Sequence, residues 1–169
     1  MQQSERLVLR EAHRADADFI LALVNSEGWL RFIGDRGIRT LDQAIDYIEN
    51  QLQSHYQAHG YGLYVVCLKP DHAPIGLCGL LNRDALPFPD LGFALLSQYH
   101  RQGFALEACK HVLNRAKTEW KLNTLLGITA PDNSASAALL TRLGFAETGT
   151  TRLEPTSEAV RRFERSLLS

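Results

Sequence analysis

One stretch, residues 90–122, limits the fold more than any other, because a short apolar run turns there into a long amphipathic stretch through a single small-residue bend. Asp90-Leu91-Gly92-Phe93-Ala94-Leu95-Leu96-Ser97, preceded by Pro87 and Pro89, predicts a buried strand. Ala105, Ala108, Cys109, Val112, Leu113, Ala116 and Trp120 recur at helical spacing and predict a helix with one apolar face, ending near Leu122. A helix start leaves its first backbone N–H groups without intrahelical acceptors and carries the positive end of the macrodipole, so the bend predicts a phosphate site. Gly103 allows close backbone approach, Ala105 keeps side chains out of the same space, and Arg101 adds a forked cation. The candidate ligand is a diphosphate; a helix that simply begins after a glycine is the alternative. Neither Gly-x-x-x-x-Gly-Lys-Ser/Thr nor Gly-x-Gly-x-x-Gly occurs, which excludes a P-loop and a dinucleotide fingerprint.

The same periodicities divide the rest of the chain. Leu7-Val8-Leu9-Arg10 predicts a first strand, and residues 15–24 a short helix with Phe19, Ile20, Leu23 and Val24 on one face. Residues 28–39 are rich in Gly and aromatics, and residues 28–35 among them are expected to be a flexible segment. Thr40 with Gln43 forms a capping box opening a helix whose Leu41, Ala44, Ile45, Ile48, Leu52 and Tyr56 share a stripe. Residues 63–68 and 75–81 predict an antiparallel hairpin across a Pro-rich turn. Residues 124–130 predict a strand parallel to the one before the long helix, stopped by Pro131. Asp132-Asn133-Ser134 supplies caps for a helix carrying Ala138, Leu139 and Leu143, with Gly144 after its end. Strand-like sequence follows from Phe145, and residues 159–167, apolar but dense in arginine, make a last strand or a frayed tail. This order predicts an α/β (α+β) fold with ligands at the carboxyl ends of the crossover strands, where the bend and the Asn/Ser cluster meet.

A length of 169 residues fits one domain, 1–169. Net charge is -1, with 18 Lys plus Arg against 19 Asp plus Glu, so no global charge favours nucleic acid or an anionic membrane. No secretory signal or spanning helix is evident, and a cytoplasmic protein is expected. Cys67, Cys78 and Cys109 sit in apolar runs without a Cys-x-x-Cys pair and predict buried thiols. His55 and His59, spaced i and i+4, lack the central Glu and a third ligand, so no metal is expected and a solvent-facing helix end is predicted. No Gly-x-Ser-x-Gly elbow is present.

Leu7-Val8-Leu9-Arg10, Pro74-Ile75-Gly76-Leu77-Cys78-Gly79, Asp90-Leu91-Gly92-Phe93-Ala94-Leu95 running into Gly103-Phe104-Ala105-Leu106-Glu107-Ala108, and Asp132-Asn133-Ser134-Ala135-Ser136 followed by Leu143-Gly144-Phe145 form an ordered set. On these, over nearly its whole length, the chain resembles the GNAT superfamily of acyl-CoA-dependent N-acyltransferases, in the branch of the RimJ and RimL ribosomal-protein N-terminal acetyltransferases. The resemblance implies a mixed, mostly antiparallel sheet with a central parallel strand pair splayed around the coenzyme arm, and helices on both faces. It implies that Phe93, Ala94 and Leu95 bind pantetheine through their backbone and that Arg101, Gln102, Gly103, Phe104, Ala105 and Leu106 wrap the pyrophosphate. Asn133 would hold the pantetheine, with a plain helix cap as the alternative. Ser136 would bond the coenzyme sulfur and protonate the departing thiolate; otherwise it faces solvent. The tyrosine that many members carry four residues further on is Leu140 here. Relatives place a Glu base where this chain has Ile128, or on the strand before the bend, where Asp90 lies close but one residue out of register. Asp90, Asp84 and Glu11 are the candidate bases, although a solvated surface carboxylate is the role their sequence setting favours for each. Trp29, Phe32 and Phe88 would line the acceptor cleft unless they are core residues. His100 replaces a Gln or Arg and either touches a phosphate or sits exposed in the loop.

The implied activity is transfer of acetyl from acetyl-CoA to a primary amine, on a protein N-terminus or a small molecule, by direct attack in a ternary complex without a metal. A monomer or a homodimer is expected. A non-catalytic acyl-CoA-binding or sensing module is the rival reading, and a small nucleotide-binding α/β domain a second.

Overall fold

A computed structural model describes residues 2–168. Among these residues eight strands form one sheet in the order β1-β2-β3-β4-β5-β6-β8-β7, comprising β1 (Gln2–Gln3), β2 (Leu7–Arg10), β3 (Leu63–Leu68), β4 (Pro74–Leu81), β5 (Asp90–Leu95), β6 (Thr124–Thr129), β7 (Ala146–Thr151) and β8 (Val160–Ser166). Every neighbouring pair is antiparallel except β5 and β6. Those two share a single register pair, Asp90 with Leu126, where the Leu126 N–H donates to the Pro89 carbonyl at 2.9 Å. Beyond it β5 stays paired with β4, and β6 with β8, so the central sheet splits along their carboxyl-terminal halves. The mixed sheet with one parallel, splayed pair is the architecture the resemblance implied.

Helices α1 (Ala17–Val24), α2 (Glu27–Phe32), α3 (Leu41–Tyr47) and α4 (Ser54–His59) precede β3; α5 (Phe104–Thr118) joins β5 to β6, and α6 (Ser134–Arg142) joins β6 to β7. The last two are crossovers between parallel strands and share a face of the sheet. On that face Cys109 Sγ of α5 lies 3.7 Å from Cys78 Sγ of β4, and Leu140 of α6 lies so close over β6 that a Cβ at Gly127 would meet its methyls at 2.8 Å. All three cysteines are buried and free, as expected of core thiols. The Thr40–Gln43 capping box forms as expected, the Gln43 N–H donating to Thr40 Oγ1 at 3.1 Å and the Thr40 N–H to Gln43 Oε1 at 3.1 Å.

Several local expectations change. The stretch read as flexible holds α2, because Trp29, 5% exposed, anchors it and the Leu30 N–H closes a turn on the Ser26 carbonyl at 3.0 Å. The helix from Leu41 passes through a π turn (Ile48–Gln53) before α4. Helix α5 stops at Thr118, short of Leu122: Lys121 takes φ 55°, and Trp120 turns onto Tyr61 and Tyr64, with ring centroids 5.2 and 6.1 Å away. In α6 it is Ala137 and Leu140 that are buried, while Ala138 is exposed. The arginine-rich last segment is an interior strand, since Phe163 is 1% exposed and Arg161 spends its charge on Glu147 at 2.8 Å. Among the described residues no helix is long and apolar enough to cross a membrane.

Candidate active site

Alternate residues of a strand direct their amide groups to opposite edges. The Leu96 N–H reaches the Ile75 carbonyl of β4 at 2.8 Å, whereas the Pro89 carbonyl faces β6, so Phe93 and Leu95 turn their N–H and C=O groups into the split. Ala94 does not share this role: its amide is on the β4 side, paired with Leu77, and the expectation that it bonds pantetheine through the backbone fails on strand parity. The Leu95 carbonyl is met by His100 Nε2 at 2.9 Å, so His100, exposed in the loop, is nevertheless tied back to the strand.

From β5 the chain passes a short 3₁₀ turn (Ser97–Tyr99) and bends through Arg101 at φ 61° and Gly103 at φ 81°, the latter the cap of α5. The Glu107 N–H is the first to find a helical acceptor, the Gly103 carbonyl at 3.1 Å. The backbone N–H groups of Arg101, Gln102, Gly103, Phe104, Ala105 and Leu106 find no acceptor among the described residues. Arg101 is exposed and has no carboxylate partner among them. Such a run of unsatisfied donors at the positive end of a helix fits a diphosphate.

Across the split, Asn133 caps α6, its Oδ1 accepting from the Ser136 N–H at 3.2 Å. The helix-cap role is therefore real for its oxygen, and its Nδ2 donor is left over. Ser136 is half-buried, and its hydroxyl bonds no described residue. On β6, Thr129 is 5% exposed and its Oγ1 is buried without a partner among the described residues, on the α5 face of the strand. Six free amides in the bend are the donor set that a ligand rich in phosphate oxygens would satisfy. The chain therefore fits coenzyme A.

Asp90 sits at the root of the split, on the sheet face away from α5. It is not a solvated surface group: it is 1% exposed and Arg83 Nε lies 3.0 Å from its Oδ1. Burial pushes its carboxyl up, opposed by the Arg83 charge and hydrogen bond. Glu11 and Asp84 are exposed, as their solvated reading has it. Of the aromatics, Trp29 is buried with its Nε1 unpartnered, Phe32 is half-buried under the Arg31 guanidinium at 4.7 Å, and Phe88 is 42% exposed. Arg31 in turn reaches Asp132 at 3.4 Å, linking α2 to the turn before α6. His55 corrects the solvent-facing reading of its helix end: its Nδ1–H donates to the Tyr61 carbonyl at 2.7 Å, its Nε2 accepts from the Asn82 N–H at 3.0 Å, and burial lowers its pKa. No cluster able to hold a metal ion occurs among the described residues.

Two contributors escaped the sequence reading, Arg83 and the Arg6–Glu107 pair, whose ends stand 101 positions apart. No local pattern marks either.

Comparison with known proteins fits this geometry. The chain is 25% identical over 152 residues to "Uncharacterized N-acetyltransferase YoaA" of Bacillus subtilis (strain 168), covering 89% of this chain and 85% of that protein. The ribosomal-protein-S5-alanine acetyltransferase of Vibrio fischeri superposes with a TM-score of 0.80 at 19% identity, over 98% of this chain and 95% of that one. The RimL ribosomal L7/L12 α-N-protein acetyltransferase, solved in complex with coenzyme A, superposes with a TM-score of 0.81 at 16% identity, over 96% and 95%. Residues 6–146 match the acetyltransferase (GNAT) domain family, so the chain belongs to that family and is an acetyl-CoA-dependent acyltransferase.

Proposed function

We propose that the chain, acting as one domain over residues 1–169, transfers acetyl from acetyl-CoA to a primary amine by direct attack in a ternary complex. The observation that carries this reading is the split between β5 and β6 opening onto six unpartnered amides. Phe93 and Leu95 hold the pantetheine arm, residues 101–106 the diphosphate, and Asn133 Nδ2 the arm from the opposite strand. Ser136 is the acid and Asp90 the base. The amine nitrogen bonds the thioester carbonyl carbon, the C–S bond breaks, Ser136 Oγ–H protonates the departing sulfur and regains a proton from water, and the amine proton passes to Asp90 directly or through water and is then released to solvent. A buried carboxyl whose affinity for protons is raised is better matched to an amine than a solvated one.

The acceptor follows from the same proton. A peptide α-amino group, pKa about 7.8, is roughly a quarter neutral near pH 7.4, whereas lysine at about 10.4 needs about 4 kcal/mol of help. With one buried carboxylate already paired to Arg83, a low-pKa amine is favoured: a protein N-terminus or a small-molecule amine. Trp29, Phe32 and Phe88 form the wall it meets, and the setting is cytoplasmic.

The test is thiol release from acetyl-CoA in the presence of N-terminal peptides, polyamines, aminoglycosides and amino acids. Release with an α-amine and acetylation of that nitrogen are expected. Tight coenzyme binding with no release for any amine would replace this reading by that of an acyl-CoA sensor.

A further inference from the structure

Arg6 lies between β1 and β2, yet its guanidinium is built into the bend. Nη1 donates to the Gln102 carbonyl at 3.1 Å, Nε donates to Glu107 Oε1 at 2.7 Å, and the guanidinium carbon stands 4.3 Å over the Phe104 ring. Nη2 lies 3.4 Å from where a Cβ on Gly103 would stand. Glu107 Oε2 is filled as well, by Ser4 Oγ at 2.6 Å and the Arg6 N–H at 2.7 Å.

Two consequences follow. In a trans peptide the C=O and the next N–H point to opposite sides, so a donor on the Gln102 carbonyl turns the Gly103 N–H away from Arg6, toward the open side of the bend. Turns that differ by rotation of one peptide plane interconvert readily when a glycine follows that plane, and Gly103 at φ 81° is such a residue. Rotation here would aim a carbonyl oxygen at the anion. Glu107 also places a negative charge in the first turn of α5, where it would repel a diphosphate, and Arg6 neutralises it.

We propose that Arg6 is a positioning residue of the acyl-donor site, locking the Gln102–Gly103 peptide so that its N–H meets the coenzyme diphosphate and cancelling the charge of Glu107. This rests on the coenzyme reading of the bend. The test measures coenzyme A binding by calorimetry, and pantetheine, which lacks the diphosphate, by ligand-observed NMR, for the natural chain, Arg6→Ala and Arg6→Lys, with melting temperatures alongside. Arg6→Ala is expected to weaken coenzyme A about tenfold or more, the scale of a lost charge-assisted contact, and to leave pantetheine within about twofold. Arg6→Lys, which keeps the charge but not the fork, should fall between and remain folded should the alanine variant not. Equal weakening of both ligands, or unchanged coenzyme A binding, overturns the role of Arg6. Absence of coenzyme A binding by the natural chain would instead overturn the reading of the bend.

Discussion

Arg83 Nε and Asp90 Oδ1 stand 3.0 Å apart, and they do so where β5 and β6 share their single register pair. The pair fixes a charge at the fork of the sheet: burial lifts the Asp90 carboxyl, and the arginine holds it down. Arg83→Gln therefore removes the main opposition to desolvation, and Asp90 takes up its proton at higher pH. The rising limb of kcat/KM against pH should move upward in this variant, and Asp90→Asn should lose about a hundredfold in kcat. An unmoved limb together with an active Asp90→Asn would remove Asp90 from the chemistry.

Ser136 offers a separate readout. Its hydroxyl bonds no described residue and its amide is held by Asn133, so the backbone is fixed while the side chain stays available. Replacing the hydroxyl by hydrogen should leave the N-cap intact. For Ser136→Ala, kcat should drop about a hundredfold with the KM for acetyl-CoA nearly constant, because a proton donor acts in the transition state. Unchanged turnover with every accepted amine would take the acid role from this residue.

At Gly103 a backbone requirement meets the coenzyme site. Its φ of 81° is left-handed, and a Cβ there would touch Arg6 Nη2 at 3.4 Å. Gly103→Ala should cost about 1 kcal/mol of stability, a few degrees in melting temperature, from the left-handed φ. It should also weaken coenzyme A several-fold by displacing the bend. A variant that melts lower but binds coenzyme A normally would separate the strain from the site.

What the sequence discloses here is whatever repeats locally. The α5 stripe, the Thr40–Gln43 box and the glycine at the bend are patterns within a few residues, and each forms where its pattern lies, except that α5 ends before Trp120. Helix α2 was hidden because Gly28 and a cluster of aromatics mask a stretch held mainly by burial of Trp29. Strand β8 was ambiguous because alternating arginines hide a single buried Phe163. Asp90 looked like a surface carboxylate since its partner, Arg83, comes from the loop before it. The Ser4–Arg6–Glu107 cluster could not be read at all, being made by chain segments that meet only when β2 packs against α5.

The same electrostatic contrast predicts how the fold responds to acid. Asp16 is 5% exposed, and Arg10 grips it with two contacts of 2.8 Å while the His13 N–H adds a third at 2.9 Å. Burial alone would raise its carboxyl, but the Arg10 hydrogen bond and the His13 amide outweigh burial and hold it below the ordinary value of 3.8. A carboxyl lowered on folding binds fewer protons in the native chain, so its stabilisation is complete above 3.8 and is lost as pH falls through the native value. Asp90, raised on folding, contributes in the opposite sense: there the native chain binds the extra proton, and stability declines as pH climbs from 3.8 through the raised value. Asp16→Asn should cost about 3 kcal/mol at neutral pH by leaving Arg10 unpaired against the core. Denaturant melts of the two chains should draw together as pH falls from 3.8 and converge only below the lowered native value, where the natural carboxylate is itself protonated. A gap that stays constant into strong acid would show that packing around residue 16, and not its charge, sets the difference.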